Sequence, residues 1–261
     1  LSDELLKEFE EIKTRKMKNY QLLFEKRNLE GYLETKHPVF TSACFYVDFV
    51  SNYVSKFRLK YAGQRPDIKD SMAAIDDIDH KGNPIKKPLG PVGFSFKTQI
   101  LSFKVNRKKV EERICPIVAS ADSASNNMFI EALISSLITI SYALKKAVCI
   151  LQTCDLDDVE TSWGVYEDHC YLFLFDNTEG GNGITYLVFS ELKEDLNAKG
   201  DLMHTRLFTQ ISEILTQKCC LDACEECLLL PRTPNHIVDL LNKQLGAAVL
   251  GVANVEYHRN I

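Results

Sequence analysis

The spacing of apolar positions divides the 261-residue chain into stretches of different periodicity. Leu5, Leu6, Phe9, Ile12, Met17, Tyr20 and Phe24 recur at helical intervals and predict a charged helix from Ser2 to Leu29. Ser2 suits its N-cap, and Asp3 and Glu4 suit the positive first turn. Phe40, Phe45, Tyr46, Phe49, Tyr53, Phe57 and Tyr61 predict a second, aromatic helix packed into a core. From Gly63 to Pro91 periodicity disappears, and Pro66, Gly82, Pro84, Pro88 and Gly90 punctuate a polar run. A run this long marks a linker or a functional excursion. Residues 1–90 are therefore expected to form a helical N-terminal region and linker, and 91–261 a separate domain.

Beyond the linker the pattern mixes strands and helices. Phe94 to Val105 alternates as a strand does, and Arg107, Lys108 and Lys109 are expected in the turn after it. Asn127 suits the cap of a helix running to about Lys146, with a wide stripe of Ile130, Leu133, Ile134, Leu137, Ile138 and Leu144. Val148–Thr153 and Tyr171–Phe175 are short continuous apolar runs that suit strands covered on both faces, with a third strand at Trp163–Tyr166. Helices are expected at Ile184–Asn197, Leu202–Gln217 and His236–Leu250, with Asp201 and Asn235 as caps. The sum is an α+β protein: a small mixed sheet packed by helices, with a cysteine-rich segment near its C-terminus.

Composition narrows the class. Apolar residues at 45% and charged residues at 26% support a sizeable core and exclude wholesale disorder. A net charge of −5 excludes a globally basic nucleic-acid coat, while leaving room for a local basic face. Lys13, Arg15, Lys16 and Lys18 form one such cluster and Arg107, Lys108 and Lys109 another. The longest apolar stretch, Met128–Leu144, is interrupted by Glu131, Ser135, Ser136, Thr139 and Ser141, which predicts a buried helix and no membrane span. The chain opens Leu-Ser-Asp-Glu without a charged-then-apolar leader, so it is expected to be a cytoplasmic piece of something longer.

The nine cysteines divide sharply. Cys44, Cys115, Cys149, Cys154 and Cys170 are scattered among apolar neighbours, where free cysteine behaves as a small hydrophobe. Cys219, Cys220, Cys224 and Cys227 fall within nine residues, and an odd total without a leader argues against a disulfide framework. Zinc takes four ligands at tetrahedral corners, and the Cys-x-x-Cys at Cys224 and Cys227 lets two thiolates reach one ion. Cys220, one turn earlier, supplies a third. Cys219 is the fourth if the backbone kinks between adjacent cysteines; Cys154, His204 and His236 are its alternatives. A redox Cys-x-x-Cys opens a helix after a strand, whereas here a helix precedes the motif. Three or four sulfurs leave no open position for water, so the zinc should be structural.

The segment Phe173-Leu174-Phe175-Asp176-Asn177-Thr178-Glu179-Gly180-Gly181-Asn182-Gly183-Ile184 reads as strand, glycine turn and helix start. It lacks the Lys-Ser/Thr of a P-loop and the glycine spacing of a dinucleotide site. The glycines are expected to supply positive φ and close packing of helix on sheet.

Taken together, the apolar strand, the Asp, the Gly-Gly-x-Gly turn, two helices and Cys-x-x-x-Cys-x-x-Cys-Leu resemble the zinc-binding C-terminal domain of Mrf-type DNA-repair helicases. The same module occurs in the helicase-associated subunit of DISARM phage-defence systems. The strand Phe96–Phe103, the long helix Phe129–Leu144 and Asn235-His236 before a leucine-rich helix extend the resemblance over roughly residues 90–250. Two features depart from it: Ala223-Cys224-Glu225-Glu226-Cys227 stands where the family has Gly-Cys-Pro-x-Cys, and Cys219 and Cys220 touch where the family spaces them by one residue. The resemblance implies a non-catalytic module that accompanies a superfamily 2 ATPase and shapes a DNA path, with the ATP-hydrolysing motifs in another domain or chain. The sequence itself contains no Gly-Lys-Ser/Thr and no Asp-Glu-x-His box. Against this stand a pure interaction scaffold, and an autonomous enzyme using Asp176, Glu179, His169 or His204 near the glycine turn.

Overall fold

The computed structural model describes residues 29–54, 74–78, 84–88, 92–119, 126–166, 168–220, 222–231 and 233–252. The helix expected before Leu29, with its basic cluster Lys13, Arg15, Lys16 and Lys18, lies outside these residues, as does most of the 63–91 stretch. The chain divides into two units, 49–97 and the remainder. In the smaller unit β3 (Ala74–Ile78) and β4 (Pro84–Pro88) pair antiparallel, with Asp76 opposite Lys86.

The main sheet runs β1-β2-β5-β7-β6, built from β1 (Leu29–Glu34), β2 (Phe40–Val54), β5 (Val92–Asn106), β6 (Val159–Val165) and β7 (His169–Asp176). Pairings of β1 with β2, β5 with β7 and β6 with β7 are antiparallel. Bonds from Asn106 N–H to the Val39 carbonyl (2.8 Å) and from Thr41 Oγ1 to the Lys104 carbonyl (3.3 Å) give β2 and β5 the same opposed sense. The α+β class is what the structure shows.

The first part of the expected aromatic helix is a strand: Phe40–Val54 is β2, in the interior of the sheet, and the rest of that stretch lies outside the described residues. Phe40, Ala43, Cys44, Phe45 and Tyr46 are all buried, so both faces carry apolar side chains and the alternation that marks a strand is lost.

Register sorts the strand residues onto two faces. Leu101 and Phe103 sit opposite Leu174 and Leu172 and enter the helical core, whereas Tyr171 and Phe173 lie on the reverse face, where Tyr166 meets Tyr171 edge-on at 5.2 Å. The helices are α1 (Arg107–Ala119), α2 (Asn126–Gln152), α3 (Ile184–Lys199), α4 (Arg206–Thr216), α5 (Asn235–Val238) and α6 (Lys243–Leu250). Val148–Thr153, expected as a strand, is largely the last turn and a half of α2. By length and composition Met128–Gln152 could cross a membrane, but 78% of its most apolar window is buried inside the protein. It is the central core helix: Leu133, Leu137, Ile138, Ile140 and Leu144 are buried.

The expected third helix, Leu202–Gln217, begins with a 3-10 turn over Leu202–His204, where Asp201 accepts from Met203 N–H, and continues as α4 under a Thr205 cap. The last expected helix is broken into α5 and α6. Pro234, not Asn235, caps α5, and Asn242 caps α6 by accepting from Leu245 N–H. The joint between them is held by α2: Ser135 Oγ donates to the Leu240 carbonyl (2.5 Å), and Asn242 N–H donates to Thr139 Oγ1 (2.9 Å). A Cβ on Gly246 would lie 3.0 Å from Thr139 and 3.1 Å from Leu215, so α6 approaches α2 and α4 closely enough that alanine would push these neighbours by a few tenths of an ångström.

Candidate metal centre

The cysteine segment leaves α4 at the extended residue Gln217 and turns at once. That turn supplies the kink that lets neighbouring cysteines converge. The Sγ atoms of Cys219 and Cys220 are 3.9 Å apart, Cys220 and Cys227 3.4 Å, Cys219 and Cys224 3.4 Å, and Cys224 and Cys227 3.7 Å. All four lie within 4.8 Å of one another. Sulfurs held at about 2.3 Å from a tetrahedral zinc stand about 3.8 Å apart, so the donor set and its spacing fit that ion.

The backbone here is organised for the same geometry. Amides of Cys227, Leu228 and Leu229 all donate to the Cys224 carbonyl, at 3.1, 3.1 and 2.9 Å. The Cys224 N–H points at Cys227 Sγ, 3.3 Å away. Lys146 on α2 donates to the carbonyls of Glu225 (3.3 Å) and Glu226 (2.9 Å), which fastens the tip of the turn to the core helix. Cys227 and Leu228 are wholly buried in the core. Burial pushes the thiols of Cys219 and Cys220 up. At Cys224 burial also raises the thiol, but hydrogen bonds involving Cys219, the Cys227 backbone and Cys220 outweigh it and bring it down to about 7.

Two of the other candidate ligands, Cys154 and His204, have partners of their own. Cys154 interacts with Cys149. His204 is 73% exposed and its Nδ1 lies 3.2 Å from Asp201. The side chain of His236 lies outside the described residues.

The glycine turn is closed by its own strand. Gly180, Gly181 and Gly183 have φ of 84°, 79° and 88°, the left-handed region that favours glycine. Buried Asp176 at the end of β7 uses both oxygens: Oδ2 accepts from Asn182 N–H (2.9 Å) and Gly183 N–H (2.8 Å), and Oδ1 accepts from Thr185 N–H (2.8 Å) and Oγ1 (2.6 Å). Since Gly183 gives α3 no side-chain cap, this carboxylate acts as one and matches the helix's positive end. Four hydrogen bonds occupy the carboxylate structurally. Glu179 is exposed and His169 pairs in register with Asn106 on β5, so the residues considered for catalysis do not converge.

Arg107, Lys108 and Lys109 are not in a turn. They open α1, with Asn106 Oδ1 accepting from Lys109 N–H. Arg107 pairs with Glu111 at 2.7 Å and donates to the Tyr166 carbonyl, and Lys109 pairs with Glu112 at 2.6 Å. Lys108 is exposed and makes no hydrogen bond or ion pair among the described residues.

Four converging thiols on the edge of an α+β core, with no open position left among them, define a structural-zinc domain. Residues 140–228, spanning the second half of α2 through the cysteine turn, match the family model of the MrfA Zn-binding domain. That stretch is a zinc-binding domain of the Mrf type, and Zn²⁺ is its cofactor. No curated protein matches the chain. Among solved structures it is similar to the DUF1998 helicase MrfA bound to DNA, at TM-score 0.45 and 16% identity over 86% of this chain and 24% of that one. It is also similar to the same helicase bound to DNA and AMPPNP, at TM-score 0.31 and 14% identity over 76% of this chain and 22% of that one. The chain thus spans about a quarter of the length of those helicases.

Proposed function

We propose that this chain is a non-catalytic zinc module of a DNA helicase, in which Cys219, Cys220, Cys224 and Cys227 hold one structural Zn²⁺. The convergence of four sulfurs within 4.8 Å, inside the stretch matched by the MrfA Zn-binding domain, carries the reading. Bound zinc supplies cross-links that a short irregular turn lacks. The chain's own residues do the rest: Lys146 ties the turn to α2, and buried Leu228 anchors its exit in the core.

The ATPase, of the superfamily 2 class, resides in another domain or subunit, since the sequence has no phosphate-binding Gly-Lys-Ser/Thr. DNA is contacted in the assembly, in the cytoplasm, with Lys108 the most available of the Arg107-Lys108-Lys109 group. A repair helicase and a phage-defence complex are the two settings, and a helicase encoded beside or upstream of this chain identifies which. The test is elemental analysis of protein purified under reducing conditions without chelator. One zinc per chain is expected in the wild type and in Cys44→Ser, and none in Cys224→Ser; a metal-free wild type sinks the proposal.

A further inference from the structure

Beyond the four sulfurs, the structure places a cation. Lys243 is fully buried, and its Nζ donates to the Gln217 carbonyl (2.6 Å) and lies 3.7 Å from Cys219 Sγ. An ammonium in a protein core is strongly unfavourable unless negative charge and hydrogen-bond acceptors surround it. Four thiolates around a dication carry a formal charge of −2, so the metal-loaded cluster supplies that negative charge.

The position of Lys243 is fixed by backbone architecture. It is the first residue of α6, directly after the Asn242 cap, and Asn242 is tied to Thr139 of α2. Gly246, one turn on, lets α6 press against Leu215 and Thr139, which brings the lysine stem beneath the end of α4. A single ammonium is thereby directed both at the Gln217 carbonyl, just past α4, and at the sulfur that leads the cysteine turn.

We infer that Lys243 is a positioning residue of the zinc site: it neutralises part of the tetrathiolate charge and orients Cys219, thereby setting zinc affinity. This rests on the zinc reading above. A cation beside a metal-bound thiolate lowers the energy of the filled sulfur orbitals, which lessens thiolate repulsion and slows loss of the ion. Partners of metal ligands commonly control affinity by about 10–100-fold. The rival role is a plain helix cap, in which the ammonium serves only the Gln217 carbonyl.

The experiment uses the full chain as wild type, Lys243→Met, Lys243→Gln and Lys243→Arg, with zinc affinity measured by competition against a chromophoric chelator. The wild type should bind one zinc, Lys243→Met and Lys243→Gln should bind about 10–100-fold more weakly, and Lys243→Arg should recover most of the loss. Cobalt(II) in place of zinc gives a second readout. Its sulfur-to-metal charge-transfer band should move to lower energy when the cation is removed, and stay near the wild-type position in Lys243→Arg. If Lys243→Met does not fold, the Lys243→Gln and Lys243→Arg spectra decide. A lowered melting temperature with unchanged zinc affinity and an unchanged cobalt band would make Lys243 a helix cap and overturn the inference. A wild type that binds no zinc would instead defeat the zinc reading on which it rests.

Discussion

The glycine turn and the cysteine turn are both tight reversals that follow a regular element, yet their polar groups have opposite fates. At the glycine turn the chain supplies its own counter-groups: one buried carboxylate accepts four hydrogen bonds from Asn182, Gly183 and Thr185 at the start of α3. At the cysteine turn it gathers four groups of the same kind, and burial pushes the thiols of Cys219 and Cys220 up. The first turn is complete with protein atoms alone. The second acquires its full set of bonds only with an ion, because thiols are weak hydrogen-bond partners and thiolates repel one another. A polar cluster that is already satisfied is a structural device; four like groups that converge beyond what their neighbours satisfy mark a ligand.

The largest expected effect breaks this comparison at the cysteine side. Stripping zinc with a chelator, or replacing Cys224 by Ser, removes on the order of 10 kcal/mol of metal-linked folding free energy. Circular dichroism should show loss of the cooperative transition, and zinc should restore it in the wild type alone. A chelated protein that melts like the loaded one would contradict the scheme. Asp176→Ala attacks the other side, leaving the amides of Asn182, Gly183 and Thr185 without their acceptor. A loss of about 3–5 kcal/mol is expected by denaturant titration. Zinc content per folded chain should stay at one; a parallel loss of metal would mean the two turns are not independent.

Gly181→Ala is the milder version. Its φ of 79° disfavours alanine, and the added Cβ would meet Gln99 Cγ at 2.8 Å and Asp176 Oδ2 at 3.0 Å. About 2 kcal/mol of destabilisation is expected, read as a lower melting temperature with metal content unchanged.

Acid separates a third turn, self-satisfied like the glycine turn. His37 Nδ1 accepts from the amides of Val39 (3.2 Å) and Phe40 (3.1 Å). Burial, helped by Arg113, holds its imidazole down at about 4. Because the folded value lies below the ordinary 6.5, His37 contributes fully above pH 6.5, and its contribution fades as pH falls toward 4. The half-exposed site limits this to about 1–2 kcal/mol. His37→Asn keeps an acceptor but cannot titrate, so its melting temperature should vary less than the wild type's across that window. Equal slopes would remove His37 from the account.

The smallest effect belongs to the basic group. Changing Arg107, Lys108 and Lys109 together to Ala should lower the melting temperature only slightly, since the pairs with Glu111 and Glu112 lie at the surface. In a helicase assembly it should flatten the salt dependence of DNA binding by about one unit, the share of one phosphate contact. An unchanged slope would make this an ordinary solvated helix start.

Much of the zinc site was legible before any coordinates, because ligand chemistry sits in residue type and spacing along one short segment. The cluster of Cys219, Cys220, Cys224 and Cys227 needed only a turn to converge. Its support was not legible: Lys146 and Lys243 lie 79 and 24 residues or more from the groups they serve, and nothing local marks either. Asp176 carried a faint signal, an acid at a strand end before a glycine turn, which suits a cap as well as a catalyst.

In the fold, β7 and the start of α3 were plain in the pattern. The interior strand β2 was misread because coverage on both faces erases period two and leaves its aromatics at accidental helical spacings. The end of α2 failed for the related reason that a short apolar run fits a buried helix turn and a buried strand alike. The break between α5 and α6 was hidden because its hydrogen-bond partners, Ser135 and Thr139, are about 100 residues earlier.

That same joint has a consequence for synthesis. Ser135 and Thr139 emerge from the ribosome long before Leu240 and Asn242, across separations of 105 and 103 residues. At the usual elongation rate of about 5–20 residues per second, α2 waits roughly 5–20 seconds for the segment that covers it. Throughout that interval the most apolar helix of the chain is exposed without its final partner. A nascent chain paused between the cysteine turn and α6 is therefore where this protein most needs a chaperone, and rare codons placed there should lower its soluble yield.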